Sequence, residues 1–268
     1  MGTPSLPISL HLKSMIVGTP LEAAAIRLRW LLGTPHRHKH PELWDLYLEE
    51  ERLDAVLQKV LAPESCGVDV GSHLGSFLLL LRQYAPKGRH TAFEASTGKS
   101  AWLKAKFPEV DVCAVAVAEH TGKAIFKDDL VNSGYSSLQQ REHQAVEANE
   151  YEVETCRLDD ILLGKDRIDI IKMDIEGGEL PALRGAIGTI RKWSPVLIFE
   201  CGTQYSFDKS NQNRADIYDY VTQELGYQIY TYVDYLHDKG ELSGDEFRKC
   251  GLFPFRALNF IALPRQPR

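Results

Sequence analysis

The sequence has few of the features that would set it apart from ordinary globular proteins. Its five cysteines, Cys66, Cys113, Cys156, Cys201 and Cys250, include no CxxC pair. An odd, scattered set of thiols argues against a disulfide framework and points to a reducing, cytoplasmic setting. Basic side chains are outnumbered: 31 Lys and Arg against 37 Asp and Glu give a net charge of −6. A nucleic-acid surface needs the opposite balance, so no nucleic-acid partner is expected. The one short basic run, His36-Arg37-His38-Lys39-His40, reads as a solvated loop. The longest apolar run, around Phe77–Leu81, is far too short to span a bilayer. The first residues lack the basic start and apolar stretch of a secretion signal.

What is present suits a large α/β domain. Across 268 residues, 44% are hydrophobic and 25% charged, enough to bury a substantial core. Residues 1–20, with Pro4, Pro7, Gly18 and Pro20, are expected to be irregular. Leu21–Leu32 predicts a helix closed by Gly33-Thr34-Pro35. A second helix is expected from Pro41 to Pro63, with Leu53, Val56, Leu57, Val60 and Leu61 at helical spacing. Residues 1–62 thus read as an arm with a helical cap, and residues 63–268 as the main domain.

From Cys66 onward, apolar strands alternate with helices. Seven strands are expected: Gly67–Val70, His90–Glu94, Val110–Val117, Ile168–Met173, Pro195–Glu200, Tyr227–Tyr232 and Ala257–Leu263. The helices between them are Leu74–Tyr84, Thr97–Phe107, Glu179–Lys192 and Arg214–Leu225. This rhythm predicts a doubly wound, mostly parallel seven-stranded sheet. Lys123–Lys127 and Glu152–Cys156 look like short strands around a polar loop, Asp128–Asn149.

Asp69-Val70-Gly71-Ser72-His73-Leu74-Gly75 follows a strand and precedes a helix. In that setting Gly71 permits a sharp turn, and Gly75 lets the next helix approach the ligand and the sheet. The GxGxxG spacing of a dinucleotide site is missing, which disfavours a nicotinamide-dependent oxidoreductase. Asp69 also disfavours a pyrophosphate, since it adds negative charge beside negative charge. It suits a ligand with an ammonium group, such as the methionine part of S-adenosylmethionine. Glu94 ends the second strand about 20 residues beyond Gly75, the span expected of a carboxylate that holds ribose hydroxyls.

A second acidic cluster follows. Asp174 ends the strand Ile168–Met173, and Glu200 ends the next one, so both should reach the carboxyl edge of the sheet. Converging carboxylates need a compensating cation, hydrogen bonds or a metal. A substrate hydroxyl that accepts a methyl group must lose its proton. Asp174, Glu200 or His73 could take it, or a divalent ion on Asp174 and Glu200 could lower the hydroxyl pKa. Glu176 and Glu179 are equally well explained as charges at a helix N-terminus. A domain that binds the cofactor without turnover is the non-enzymatic alternative.

Taken in order, these segments resemble the FkbM family of class I methyltransferases. The resemblance rests on Val68–Phe77, Ala92-Phe93-Glu94-Ala95, Ala114-Val115-Ala116-Val117 with Gly122, and Ser133–Leu138. It continues through Val153–Asp160 and Ile171–Gly177. It implies a seven-stranded fold with the last strand antiparallel, and S-adenosyl-L-methionine as cofactor. Asp69, Gly71, Ser72 and Gly75 would line its methionine end. Glu94 and Ala95 would sit at the ribose, Ala116 and Val117 at the adenine, and Asp174 between cofactor and acceptor. Tyr135 and Ser136, in the polar loop, and Glu176 are the expected acceptor contacts. The implied acceptor is a hydroxyl on a sugar or natural product, with a small-molecule nitrogen as the alternative. Ser72-His73 stands where Ala-Asn is common in the family, which leaves His73's role open. The tyrosines Tyr227, Tyr230, Tyr232 and Tyr235 are a further acceptor-pocket possibility, weighed against ordinary packing.

Overall fold

The computed structural model describes residues 8–129, 136, 138, 148–203 and 214–265. The N-terminal part holds α1 (Ile8–Ile16), α2 (Pro20–Leu32), α3 (Thr34–Lys39), a 3₁₀ turn at Pro41–Leu43, α4 (Trp44–Tyr47) and α5 (Glu49–Val60). Helix α1 lies where an irregular stretch was expected. The prolines stand before it and Gly18, at φ 69°, follows it, so the stretch between contains no breaker. The basic run at His36–Lys39 is likewise helical, because Pro35 fits the first turn of α3. The helix expected from Pro41 is interrupted at Leu48. Its main part, α5, starts on Glu49-Glu50-Glu51, which suits the positive end of the helix dipole.

The main domain begins with β1 (Gly67–Val70), α6 (Ser76–Tyr84), β2 (Thr91–Phe93), α7 (Thr97–Lys106) and β3 (Asp111–Cys113). Next come β4 (Ala116–Val117), β5 (Gly122–Asp129), β6 (Ala148–Cys156), α8 (Leu158–Leu162) and β7 (Ile170–Met173). They are followed by α9 (Glu179–Arg184), α10 (Ile187–Trp193), β8 (Val196–Glu200) and α11 (Arg214–Asp219), which runs into a π-turn at Tyr220–Glu224. The chain ends with β9 (Tyr227–Thr231), α12 (Tyr232–Leu236), α13 (Gly244–Cys250) and β10 (Asn259–Pro264).

Seven strands form one sheet in the order β3-β2-β1-β7-β8-β10-β9, with β10 antiparallel to both of its neighbours. This is the expected doubly wound α/β architecture. The strand order reverses between β1 and β7, and a crevice opens at the carboxyl ends of such a pair. One difference concerns Val110–Val117. Only β3 joins the large sheet, and the chain then turns so that β4 pairs with β6 in a small second sheet, β4-β6-β5. The expected helix over Glu179–Lys192 is also broken, at Gly185. A Cβ there would lie 2.4 Å from the carbonyl oxygen of Ala118, so that close approach requires glycine.

Apolar clusters cover both faces of the large sheet. Val56 and Leu57 of α5 are fully buried beside Leu81, Ile198 and Ile261. The Glu49 carboxylate accepts hydrogen bonds from the backbone N–H groups of Leu258 and Asn259 (2.9 and 3.2 Å) and from Asn259 Nδ2 (2.8 Å). Helix α5 is therefore tied to the start of β10. Among the described residues no helix is long and apolar enough to cross a membrane.

Candidate active site

A cleft with about 590 Å³ of open space lies at the carboxyl ends of β1, β2 and β7. Gly71 and His73 line it after β1, Glu94 and Ala95 after β2, and Asp174 after β7. Val115, Ala116, Val117 and Phe126 form an apolar wall from the side of the small sheet. Seven of the residues expected from sequence thus meet here: Gly71, His73, Glu94, Ala95, Ala116, Val117 and Asp174. Ser136 is an eighth. Tyr135 lies outside the described residues.

The turn after β1 explains much of this convergence. Gly71 has φ 81°, and a Cβ on it would lie 2.0 Å from the carbonyl oxygen of Asp174. Only glycine allows the ends of β1 and β7 to approach this closely. Ser72 is buried and does not line the cleft. Its hydroxyl donates to the carbonyl oxygen of Asp69 at 2.9 Å and so holds the turn. Gly75 also lies off the cleft. A Cβ there would meet the Phe107 ring at 2.6 Å, so this glycine serves the packing of α7 against the loop rather than approach to a ligand.

Glu94 is 6% exposed. Its Oε2 accepts the His73 N–H and its Oε1 accepts the Ser96 N–H, each at 2.8 Å. Burial pushes its pKa up, while the Lys99 ammonium and those N–H groups pull it down. Asp69 is not among the residues lining the cleft; it is 1% exposed, and neither of its carboxylate oxygens has a hydrogen-bond partner among the described residues. Burial pushes its pKa up to about 6, opposed by Lys172, its register partner on β7. The His73 imidazole is pushed down to about 4 by burial and by the charge of Lys99, so it is neutral near pH 7.

The acidic cluster sits beside the cleft. Lys172 Nζ donates to Asp174 Oδ2 at 3.0 Å. Glu200 is hydrogen-bonded to Asp174. Burial raises Glu200 well above the usual carboxylate range, and the charge of Asp174 adds to this. Burial also acts to raise Asp174, but Lys172 and the hydrogen bonds from Glu200 and Lys172 outweigh it and lower its pKa. Within the pair Asp174 is therefore the stronger acid and Glu200 the weaker one. Carboxylate oxygens of Asp174, Glu176 and Glu200 lie within 4.8 Å of one another. Glu179 has a structural place: it accepts the N–H groups of Ile175 and Gly177 (3.0 and 3.3 Å) and shapes the loop that carries Glu176. Burial pushes its pKa up to about 7.

Three charged residues of this region escape a reading of the sequence alone. Lys172 left a trace, as a lone lysine in an apolar strand. Lys99 left none, because a lysine on a helix is ordinarily solvated, yet it is 2% exposed and pairs with Asp128 at 3.3 Å. Asp128 gathers hydrogen bonds from the hydroxyls of Ser96, Ser136 and Tyr151, at 2.9, 2.9 and 3.1 Å. It thereby ties the small sheet to the start of α7. The tyrosines near β9 are packing residues. Tyr227 donates to the carbonyl of Pro195, Tyr232 is buried, and Tyr230 meets Tyr235 edge to face.

Sheet order, the antiparallel last strand and a cleft at the β1/β7 reversal define a class I, Rossmann-like methyltransferase domain. Residues 69–229 match the model of the Methyltransferase FkbM domain, and the chain belongs to that family of S-adenosylmethionine-dependent methyltransferases. No curated protein matches it in sequence. Among solved structures it is similar to a methyltransferase FkbM from Methylobacillus flagellatus KT, with 19% identity and a TM-score of 0.48. That match covers 76% of this chain and 44% of the other, so the chain spans less than half of that relative's length. A TehB-like methyltransferase from Corynebacterium glutamicum matches at 13% identity and TM-score 0.41, over 92% of this chain and 100% of the other. The sugar N-methyltransferase KedS8 from a Streptoalloteichus species matches at 12% identity and TM-score 0.33, over 59% and 50%.

Proposed function

We propose that the chain transfers a methyl group from S-adenosylmethionine to a hydroxyl oxygen of a small molecule, a sugar or natural product, in the cytoplasm. The observation that carries this reading is the Asp174–Glu200 carboxyl pair, whose oxygens lie within 4.8 Å of each other and in which Glu200 is the weaker acid. The residues present fit the cofactor. Glu94 lines the cleft with its carboxylate oriented by the His73 and Ser96 N–H groups, and the remaining lone pairs can accept ribose hydroxyls. The apolar wall of Val115, Ala116, Val117 and Phe126 suits an adenine ring. The unpartnered Asp69 carboxylate, behind Gly71, supplies a negative field for an ammonium group. When bound, S-adenosylmethionine provides an electrophilic methyl group on a positively charged sulfur.

The chain's own task is then to place the acceptor and remove its proton. A base works best when its pKa is near the working pH. His73, pushed down to about 4, falls short of this requirement, whereas burial shifts Glu200 upward from the ordinary carboxylate range. In this reading Glu200 in its ionised form takes the hydroxyl proton. Asp174, fixed by Lys172, orients the acceptor, and Glu176 and Ser136 contact it. The net charge of −6 supports a small-molecule acceptor over a nucleic acid. The free state of all five cysteines supports a reducing compartment.

The proximity of Asp174, Glu176 and Glu200 also favours a second way to activate the hydroxyl, through a divalent ion. The ion pair from Lys172 already offsets the charge of Asp174, which weighs toward proton transfer alone. Labelled methyl transfer to a panel of hydroxylated and amino acceptors tests both. Glu200→Gln should lower kcat by roughly 10²- to 10⁴-fold, and turnover should survive strong chelation. Products methylated on nitrogen would contradict the oxygen assignment, and loss of turnover on chelation would replace the base with a metal.

A further inference from the structure

Helix α2 carries leucines that the fold leaves uncovered. Leu21, Leu28, Leu31 and Leu32 recur along one side of the helix, with Ala24 and Ala25 between them. Their exposures are 65, 56, 67 and 72%, and no residue of α2 is buried. On the opposite side Trp30 meets Trp44 edge to face at 6.3 Å and the Arg37 guanidinium stacks over Trp30 at 3.7 Å, while Ile26 is 50% exposed. The apolar stripe therefore faces outward, and a contiguous exposed apolar patch marks an interaction surface.

The charge around the stripe is opposite to that of the chain. Residues 8–40 hold five Lys and Arg (Lys13, Arg27, Arg29, Arg37 and Lys39) against a single acid, Glu22, in a protein of net charge −6. The Glu22 carboxylate is engaged by the Gly18 N–H at 2.6 Å. Arg27 and Arg29 flank the leucines, where long cationic side chains can reach up from an apolar layer to headgroup level. Two such faces from two copies would bring like charges together, whereas an anionic bilayer neutralises them.

We propose that α2 docks this protein on anionic membrane surfaces, its leucines entering the acyl boundary and Arg27 and Arg29 meeting the headgroups. Helix α1, which precedes it, packs on the loop that borders the cleft. Leu10 and Val17, before α2, pack on Leu74 of the glycine loop, and the charge of Lys13 acts on His73. Docking would thus hold the cleft close to the bilayer. The inference does not depend on the methyl-transfer reading.

Vesicle flotation of the full chain tests it, with phosphatidylglycerol–phosphatidylcholine vesicles against phosphatidylcholine alone. The wild type should float with the anionic vesicles and much less with the neutral ones. The double variant Leu28→Asp, Leu32→Asp should bind at least ~tenfold more weakly at an unchanged thermal midpoint, as expected when buried leucines are lost. Arg27→Gln and Arg29→Gln should each weaken binding roughly fivefold. Absence of wild-type flotation, or equal flotation of the variants, would overturn the proposal. So would a wild-type dimer in ultracentrifugation that the leucine variant dissociates while vesicles remain unbound, because the face would then be a contact between copies.

Discussion

Asp69 combines full burial, an unpartnered carboxylate and a pKa pushed up to about 6 from an ordinary 3.8. Between those values the folded protein holds a proton that the unfolded chain has released. The stabilising contribution of this residue is therefore complete below 3.8 and is lost as pH rises through about 6. Asp69→Asn should flatten the pH dependence of urea unfolding in that window. At neutral pH the unliganded variant should be more stable, on the order of 2 kcal/mol. The affinity for S-adenosylhomocysteine, which bears an ammonium group, should rise through the same window in the wild type and stay level in the variant. Identical pH profiles for the two proteins would contradict this account. The position of Asp69 was legible in the sequence, since an acid two residues before a glycine turn is conspicuous. Its partner Lys172 was only half legible, because strand register decides that the two face each other. The place of Gly75 against Phe107 was not legible at all, for the ring comes from the far end of a different helix.

At the scale of elements, the alternation of strand and helix was readable because each buried strand needs its own apolar run and each helix its own apolar face. The points where the chain changes partner were not. Val110–Val117 reads as one strand, but its two halves join different sheets, and pairing with β6 across a long sequence gap makes that choice. Asp159 lies in a segment that carried the family resemblance, and its work is structural. Its carboxylate accepts the N–H groups of Gly188 and Thr189 (2.9 and 2.7 Å) at the start of α10. The contribution of α5 is similar in kind, since Glu49 closes three hydrogen bonds onto Leu258 and Asn259. Glu49→Ala leaves these part-buried donors without their acceptor. It should cost about 2–3 kcal/mol, seen as a Tm lower by roughly 5–10 °C. A midpoint within about 1 °C of wild type would show that α5 is held by its apolar face alone.

For the molecule as a whole, two unlike groups of side chains share one sheet edge. The β1/β2 side offers Glu94, the glycine turn and an apolar wall, all suited to a nucleoside. The β7/β8 side offers the Asp174–Glu200 carboxyl pair, with Lys172 donating to Asp174. The small sheet leans on the first side through Asp128, which ties Lys99, Ser96 and Ser136 together. The β1/β2 half could be read from motif order, because its residues fall within short strand-turn-helix segments. The β7/β8 half depends on side chains from separate parts of the chain. The claim on which both halves rest is that the cleft binds S-adenosylmethionine through Glu94. Calorimetric titration of S-adenosylhomocysteine into wild type and Glu94→Gln tests it most directly. One site per chain is expected, weakened roughly 10- to 100-fold by the substitution; no binding to the wild type, or equal affinity in both, would contradict it.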